Sequence, residues 1–399
     1  AFRTPDGTEQ AMDEAHCRAW REQVEARAAE GLRMLALAET SVSERSEFKG
    51  DHLTLLGVVG LQDPPRAGIA EEIDKLQRAG LRVVMVTGDQ RETAMSIADQ
   101  IGLRTNGDRR SVYARISPED KLNLVAELQE EGDIVAMTGD GVNDAPALEK
   151  ADIGVAMGRR GTQVAQEAAD IILRDDAFRT IAAAVEQGRI IFNNIRKFVL
   201  FLLSGNVGEI MIVVVALILR WPLPLLPLQI LYLNMISDVF PALALGLGHH
   251  QPHVMESPPR PRGEAILTRA HWWAILAYGA LICVPVLAGF ALAGGASETG
   301  GSGAVTVSFL TLALARTWHV FNMRSGASGV WKNEVTRNTY VWAAIALSLA
   351  LLVAAPYVGP LATVLGIAPP GLGGWSLILP LSLVPLVVAQ LVRVVAARL

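Results

Sequence analysis

Between Phe198 and Leu219 the chain runs 22 residues with one charge, Glu209, and between Trp221 and Leu245 it runs 25 residues with one charge, Asp238. As an α-helix either stretch is long enough to cross about 30 Å of hydrocarbon. Further apolar runs follow, and six helical spans are predicted at about 196–219, 225–246, 271–293, 304–323, 339–361 and 374–393. The fourth is the weakest, because Arg316 interrupts it. An even number of crossings returns the C-terminus to the side on which the first half lies. The basic residues agree: Arg260, Arg262 and Arg269 share one loop, Arg324, Lys332 and Arg337 another, and 294–304 has none. Arg220, alone on the opposite side, is the exception. The second half is therefore expected in a lipid bilayer.

The first half holds most of the charge and alternates strands with helices. Leu53 to Gly60 reads as a strand, Asp63-Pro64-Pro65-Arg66 opens a helix over 66–79 that stops at Gly80, and Arg82 to Val86 is a strand closed by Thr87-Gly88-Asp89. A helix from about Glu92 to Ile101, a short strand near Val112 and a helix opened by Ser117-Pro118-Glu119-Asp120 come next. The last opening has the form of a capping box, with Asp in place of the preferred Glu. The apolar run Ile134 to Met137 leads into Thr138-Gly139-Asp140-Gly141-Val142-Asn143-Asp144-Ala145-Pro146, then a helix, a strand 153–156, a helix 162–168 and a strand 171–173. Upstream, 11–38 carries a helical period and closes on a strand, Leu32 to Ala38. This alternation predicts a parallel sheet covered on both faces, with its chemistry at the carboxyl ends of the strands. A net charge of -5 gives no case for nucleic acid, and Cys17 and Cys283 alone exclude a disulfide framework or a thiolate metal cluster. The soluble half is expected in a reducing cytoplasm.

Two carboxylates at a strand end with no basic residue between them, Asp140 and Asp144, fit a hard cation, Mg2+ above all, with phosphate as its other partner. A solvated loop is the plainer alternative. Thr87-Gly88-Asp89 offers a hydroxyl, a backbone N–H and a carboxylate to a phosphoryl oxygen, or is an ordinary turn. Lys121, on the first turn of a helix, can meet phosphate or simply face solvent. In the bilayer half, Asn206 and Glu209 share one helix face and Asn234, Ser237 and Asp238 share the next. An acid in hydrocarbon is costly enough that function is its default explanation. Two carboxylates, two amides and a hydroxyl make an oxygen-rich cage for a hard cation. Prolines at 222, 224, 227 and 241 bracket the second helix, and Gly205 and Gly208 allow close approach in the first. The segment Phe178 to Asn194 enters the first span with no breaker except Gly188, so it is either one long helix joining the two halves or an amphipathic linker.

The string Thr138 to Pro146 resembles, letter for letter, the hinge signature of the P-type cation-transporting ATPases. Asn193-Asn194 and Asn206-Val207-Gly208-Glu209 resemble the family's fifth membrane helix, and the loop Glu256-Ser257-Pro258-Pro259-Arg260 matches as well. Over essentially the whole chain the resemblance is to the Ca2+ pumps of endoplasmic reticulum and secretory pathway and their bacterial relatives. It implies a haloacid-dehalogenase-like α/β phosphorylation domain followed by an α-helical transmembrane bundle of six spans. The implied divisions are the tail of a nucleotide-binding domain over 1–45, the phosphorylation domain with its hinge over 46–190 and the transmembrane domain over 191–399. The implied activity is ATP-driven transport of a cation, Ca2+ first and Mn2+, Na+, K+ or H+ as alternatives, through an aspartyl phosphate. Mg2+ and ATP are the implied cofactors, and the implied place is a bacterial cell membrane with the phosphorylation domain cytoplasmic. Residue by residue, the resemblance puts Asp63 and Arg66 in the hinge region, Thr87 and Gly88 on the phosphoryl group with Asp89 in the same loop, and Arg115 near the nucleotide. It makes Lys121 the neutraliser of phosphoryl oxygens and Asp140 a Mg2+ ligand, with Asn143 and Asp144 supporting that site.

Two departures matter. The family's phosphorylated Asp lies in Asp-Lys-Thr-Gly-Thr, which does not occur in these 399 residues; nor do the actuator region and the first four membrane helices. The chain is therefore expected to be the C-terminal part of a longer pump, dependent on an N-terminal part and inactive alone. A non-catalytic membrane fragment that binds a partner stays open, and so does a phosphatase fused to a membrane anchor, which would need its own nucleophilic Asp. The second departure is Arg316, which stands where the two-site Ca2+ pumps place a Glu in the eighth membrane helix. It lies eight residues before Arg324, about 12 Å along a helix. Either it snorkels to the interface, or its guanidinium reaches Glu209 and fills the place of one cation, which implies at most one divalent ion per cycle.

Overall fold

A computed structural model describes residues 1–29, 32–40, 53–61, 65–103, 111–248, 251, 253–297, 301–325 and 328–396. The chain divides into two units, Ala1–Val185 with Met255–Arg262, and Glu186–Val254 with Gly263–Leu399.

The first unit begins with β1 (Phe2–Arg3), β2 (Glu9–Gln10), α1 (Glu14–Ala29), β3 (Arg33–Glu39) and β4 (Thr54–Leu61). They form a sheet of order β2-β1-β4-β3, with β3 and β4 antiparallel from Arg33 opposite Leu61 to Glu39 opposite Thr54. The strand expected at Leu53 to Gly60 thus lies in a mixed sheet, parallel to β1 and antiparallel to β3, and not with the parallel strands that follow, which corrects the prediction. No described helix separates β3 from β4, and antiparallel pairing is the arrangement that needs no helical crossover.

The alternating region follows as α2 (Ile69–Arg78), β5 (Met85–Val86), α3 (Arg91–Gln100), β6 (Val112–Tyr113), α4 (Pro118–Glu130), β7 (Ala136–Gly139), α5 (Ala145–Lys150), β8 (Ile153–Met157), α6 (Gln163–Glu167) and β9 (Ile171–Leu173). β5 pairs with β6 and β8 with both β7 and β9, all in parallel. α2 starts later than predicted because Gly68 precedes it in the left-handed region, at φ 82°. Ile73 of α2 packs with Ala98, Ile101 and Leu103, and Leu148, Ala156 and Ala165 form a second cluster beneath β8. The capping box of α4 is complete with Asp: Asp120 N donates to Ser117 Oγ and Ser117 N to Asp120 Oδ2, both at 3.1 Å.

Asp152, between α5 and β8, accepts from Val135 N at 2.9 Å and from Gln129 Nε2 at 3.1 Å. The Val135 backbone donor, helped by Gln129 and the Arg262 charge, holds its carboxyl below the usual carboxylate range. A depressed folded-state pKa stabilises above the unfolded value of about 3.9, and that contribution disappears as pH falls through the folded value. Asp152→Asn is therefore expected to melt lower than the parent at neutral pH, with the difference closing as the solution is taken below about pH 4. A melting-temperature gap that is the same at both ends of the titration would show that the charge plays no part.

The second unit is helical. α7 (Phe178–Ile218) runs unbroken for 41 residues, through Gly188, and the division between the units falls within it. α8 (Pro227–Leu233) and α9 (Val239–Gly246) are joined by a π-helical turn, Asn234–Asp238. α10 (Arg269–Leu292), α11 (Ser302–His319) with a 3-10 turn Val320–Met323, α12 (Thr339–Ala354), α13 (Gly359–Leu365) and α14 (Leu372–Ala396) complete it. Among the described residues five helices are long and apolar enough to cross a membrane, and six spans result if α12 and α13 count as one. Those two meet at 84°, so the span expected at 339–361 is not one straight helix. Pro356 in the break and Pro360 in the next turn lack the N–H that would continue the ladder. α11 is the most enclosed span, with Arg316 and the hydroxyls of Thr306, Ser308, Thr311 and Thr317 all buried. Its weak hydropathy is thus that of an inner helix, whose Thr306, Ser308 and Thr317 bond back to carbonyls four residues earlier.

Candidate functional sites

In the first unit the candidate residues gather at the carboxyl ends of β5, β6 and β7. After β5 the chain turns through Thr87, whose Oγ1 donates to Asp89 Oδ2 at 3.0 Å and accepts from Asp89 N at 3.1 Å. The stretch after β6 is stitched to that turn: Arg115 N donates to Asp89 O at 3.0 Å and Ile116 N to Thr87 O at 3.2 Å. Arg115 has a φ of 54°, an unusual value for an L side chain. Ser117 then caps α4, and one turn into that helix Lys121 Nζ donates to Asp144 Oδ1 at 2.6 Å.

The two acids after β7 are not equivalent. Asp144 is buried, and its second oxygen accepts from Asp140 N at 3.3 Å and Gly141 N at 3.1 Å. Gly139 is required beside it, since a Cβ there would lie 2.5 Å from Asp144 Cβ. With both oxygens occupied, Asp144 meets an ammonium where a shared divalent ion was expected. Asp140 is exposed, and its carboxylate has no hydrogen-bond or ion-pair partner among the described residues. A free carboxylate at this edge fits Mg2+, whereas Asp144 fits the task of orienting Lys121 and the turn. Asn143 is exposed beside them and Gly88 is open, with nothing within 4 Å of a built Cβ. Arg66 Nη1 donates to the carbonyl of Asp176 at 2.5 Å. Asp63 lies outside the described residues.

Asp176 went unnoticed in the sequence. Its carboxylate accepts three consecutive backbone N–H groups, from Gly158 at 2.7 Å, Arg159 at 2.9 Å and Arg160 at 3.0 Å, just before α7 begins. The Arg159 donor leads in holding its carboxyl below the usual range. The adjacent Asp175, which takes Ala177 N at 3.1 Å and Thr180 Oγ1 at 2.8 Å, is a readable helix-start signal. Asp176 itself carries no such signal.

In the second unit one guanidinium is the centre of the polar site. Arg316 is 1% exposed, and its Nη1 pairs with Glu209 Oε1 while its Nη2 pairs with Asp238 Oδ1. Nη1 also lies 3.3 Å from Asn234 Oδ1 and Nη2 3.5 Å from Asn206 Oδ1. α7 contributes Asn206 and Glu209, the π-helical turn contributes Asn234 and Asp238, and α11 contributes the arginine. The wide turn brings Asn234 and Asp238 to one side. Ser237, on the same turn, is fully buried, and among the described residues its Oγ has no hydrogen-bond partner and Arg316 Nε finds no acceptor. One turn after Arg316, His319 Nε2 lies 2.9 Å from Ser204 Oγ of α7. Among the described residues no three of His, Cys, Asp and Glu converge as metal ligands; the oxygen set here is two acids and two amides.

A family profile described as "Cation transporting ATPase, C-terminus" matches residues 222–395, and one described as haloacid dehalogenase-like hydrolase matches residues 7–152. The chain is 39% identical over 386 residues to a calcium-transporting ATPase of Bacillus subtilis, covering 90% of this chain and 43% of that protein. It is 36% identical over 404 residues to calcium-transporting ATPase 1 of Bacillus cereus, covering 91% of this chain and 45% of that protein. A stretch of 256 residues is 48% identical to P-type sodium-transporting ATPase4 of Toxoplasma gondii, covering 56% of this chain and 19% of that protein. The chain thus spans under half the length of these relatives. A haloacid dehalogenase-like unit, a multi-pass helical unit and relatives alike over both make this chain a member of the P-type cation-transporting ATPases.

Proposed function

We propose that the protein of which this chain is part moves an inorganic cation, Ca2+ first, across a membrane by ATP hydrolysis through an aspartyl phosphate. The names of its relatives support the cargo. The observation that carries the reading is the meeting of Glu209, Asp238, Asn206 and Asn234 around Arg316 inside the bundle. At the soluble edge, Lys121 is the cation offered to transferring phosphoryl oxygens, and Asp144 fixes its position. Thr87 and Gly88 supply a hydroxyl and an open backbone to the same group, and Asp140 with Asn143 would hold Mg2+. Bound there, Mg2+ would neutralise charge on the phosphate oxygens. The remaining contribution is positioning and preorganised charge. The acceptor aspartate belongs to the part of the pump outside these residues, and Arg115 stays a candidate nucleotide contact. The membrane is proposed to be a bacterial cell membrane, with the first unit cytoplasmic, on the side of the Arg-rich and Lys-rich loops.

Arg316 occupies the centre of the oxygen cage as a permanent cation, which leaves room for at most one divalent ion. Equilibrium binding of radiolabelled Ca2+ to the complete pump is expected to give one ion per phosphorylation site, and Arg316→Glu to raise the count to two. Two sites of similar affinity in the parent protein would reject this stoichiometry. A second reading, Na+ transport, is favoured by the Toxoplasma relative and by the single net negative charge of two acids with one guanidinium. ATP hydrolysis stimulated by Na+ and indifferent to Ca2+ would select it.

A further inference from the structure

Gly205 sits inside α7, directly before Asn206 and four residues before Glu209, so it shares the face that bears the acid. A glycine in a helix interior is less favourable than alanine, and this one has no left-handed backbone to justify it. Space is the reason that remains. A Cβ built on Gly205 would lie 2.8 Å from Arg316 Nε, 2.8 Å from Nη2 and 3.0 Å from Cζ, and these three guanidinium atoms are its nearest neighbours. Gly188 of the same helix has nothing within 4 Å of a built Cβ, and Gly208 meets its nearest atom, Gly279 O, at an ordinary 3.4 Å, so a contact this tight is particular to position 205 among the glycines of α7.

The guanidinium cannot step aside cheaply. One end is held by Glu209 and Asn234, and the other by Asp238 and Asn206. Its plane is therefore fixed, with the edge from Nε to Nη2 lying on the bare Cα of Gly205. Helix α11 cannot easily retreat either, because Ser204, the neighbour of Gly205, meets His319 at 2.9 Å one turn beyond the arginine. The His319 ring stacks on Phe201 of α7 with centroids 6.0 Å apart.

We infer that Gly205 is a positioning residue that seats Arg316 between the two intramembrane acids, so that positions 205 and 316 form one setting for the charge of the cage. Any side chain at 205 displaces the guanidinium from Glu209 and Asp238 and thereby changes what the cage can hold. The seat itself is steric; its effect on ion binding rests on the reading of the cage as the transport site.

The test is a double-mutant cycle in the complete pump, read by melting temperature and by equilibrium binding of radiolabelled Ca2+. Gly205→Ala is expected to lower the melting temperature and to shift the apparent Ca2+ affinity by about fivefold or more, the low end of what overpacking a filled interior costs. The same change made on top of Arg316→Gln is expected to leave affinity within about twofold of the Arg316→Gln protein and to hold or raise its melting temperature, since alanine is the better helix former. Arg316→Lys combined with Gly205→Ala is expected to recover part of the lost affinity, because an ammonium has no Nε-to-Nη2 edge to collide with the new methyl. Equal shifts from Gly205→Ala in the Arg316 and Arg316→Gln backgrounds, or no rescue by lysine in either readout, would overturn the inference. Coupling and rescue in melting temperature with no change in Ca2+ binding would uphold the seat and overturn the cage reading instead.

Discussion

Asp140→Asn in the complete pump is expected to lose Mg2+-dependent ATP hydrolysis by about a thousandfold, the upper range for removing one preorganised electrostatic partner from a reacting charge. The substitution keeps the volume and removes the charge of a carboxylate that has no hydrogen-bond or ion-pair partner among the described residues. Its backbone remains useful, since Asp140 O accepts from Thr162 N at 2.8 Å and Asp140 N donates to Asp144. The fold should therefore survive, and an unchanged melting temperature with lost turnover is the expected pattern. Normal hydrolysis in purified Asp140→Asn protein would remove Mg2+ from this residue. Asp144→Asn should behave differently, loosening Lys121 and the turn together, so that stability and turnover fall in parallel.

Arg316→Met is expected to destabilise the helical unit strongly. Methionine fills a similar volume, but it leaves Glu209 and Asp238, at 5% and 6% exposure, without their common counter-charge. Breaking a buried charge pair by removing one partner costs about 3–5 kcal/mol. Thermal melting in detergent should show the loss, and Glu209→Gln with Asp238→Asn should restore most of it when added to Arg316→Met. A single variant that melts with the parent protein would mean that the acids do not depend on the arginine for their stability.

The first half was legible where local rules act alone. Proline, an N-cap and a short apolar strand ending in Gly and Asp fix α4 and the β7 turn without reference to anything distant. Strand β4 was not legible in the same way, since its alternation is that of any half-buried strand and does not encode which strand it pairs with. The spans were readable from hydropathy, and the bend between α12 and α13 was present in Pro356 and Pro360 but hidden by an apolar count. The residues of the cage could be named from chemistry, because acids, amides and an arginine are too costly in hydrocarbon to be kept there without a task. Their arrangement was legible only in the reach of Arg316 toward Glu209, one of the two readings left open for it. That Asp144 would spend its charge on Lys121, that Arg316 would take both acids, and that Gly205 would be bare for its sake are facts of packing between elements, and no spacing along one helix encodes them.

If the cage is the transport site proposed above, the guanidinium, being part of the chain, keeps its charge there through every turn of the cycle. With both acids ionised, the cage around Arg316 carries one net negative charge when empty and one net positive charge with a divalent ion inside. Two acids without the arginine would be doubly negative when empty and neutral when loaded. The membrane potential acts on each charge carried across it with about 2.3 kcal/mol per 100 mV. The bare acids would place all of that electrical work on the empty stroke, whereas the arginine divides it equally between the empty and the loaded strokes, so that neither meets the full voltage.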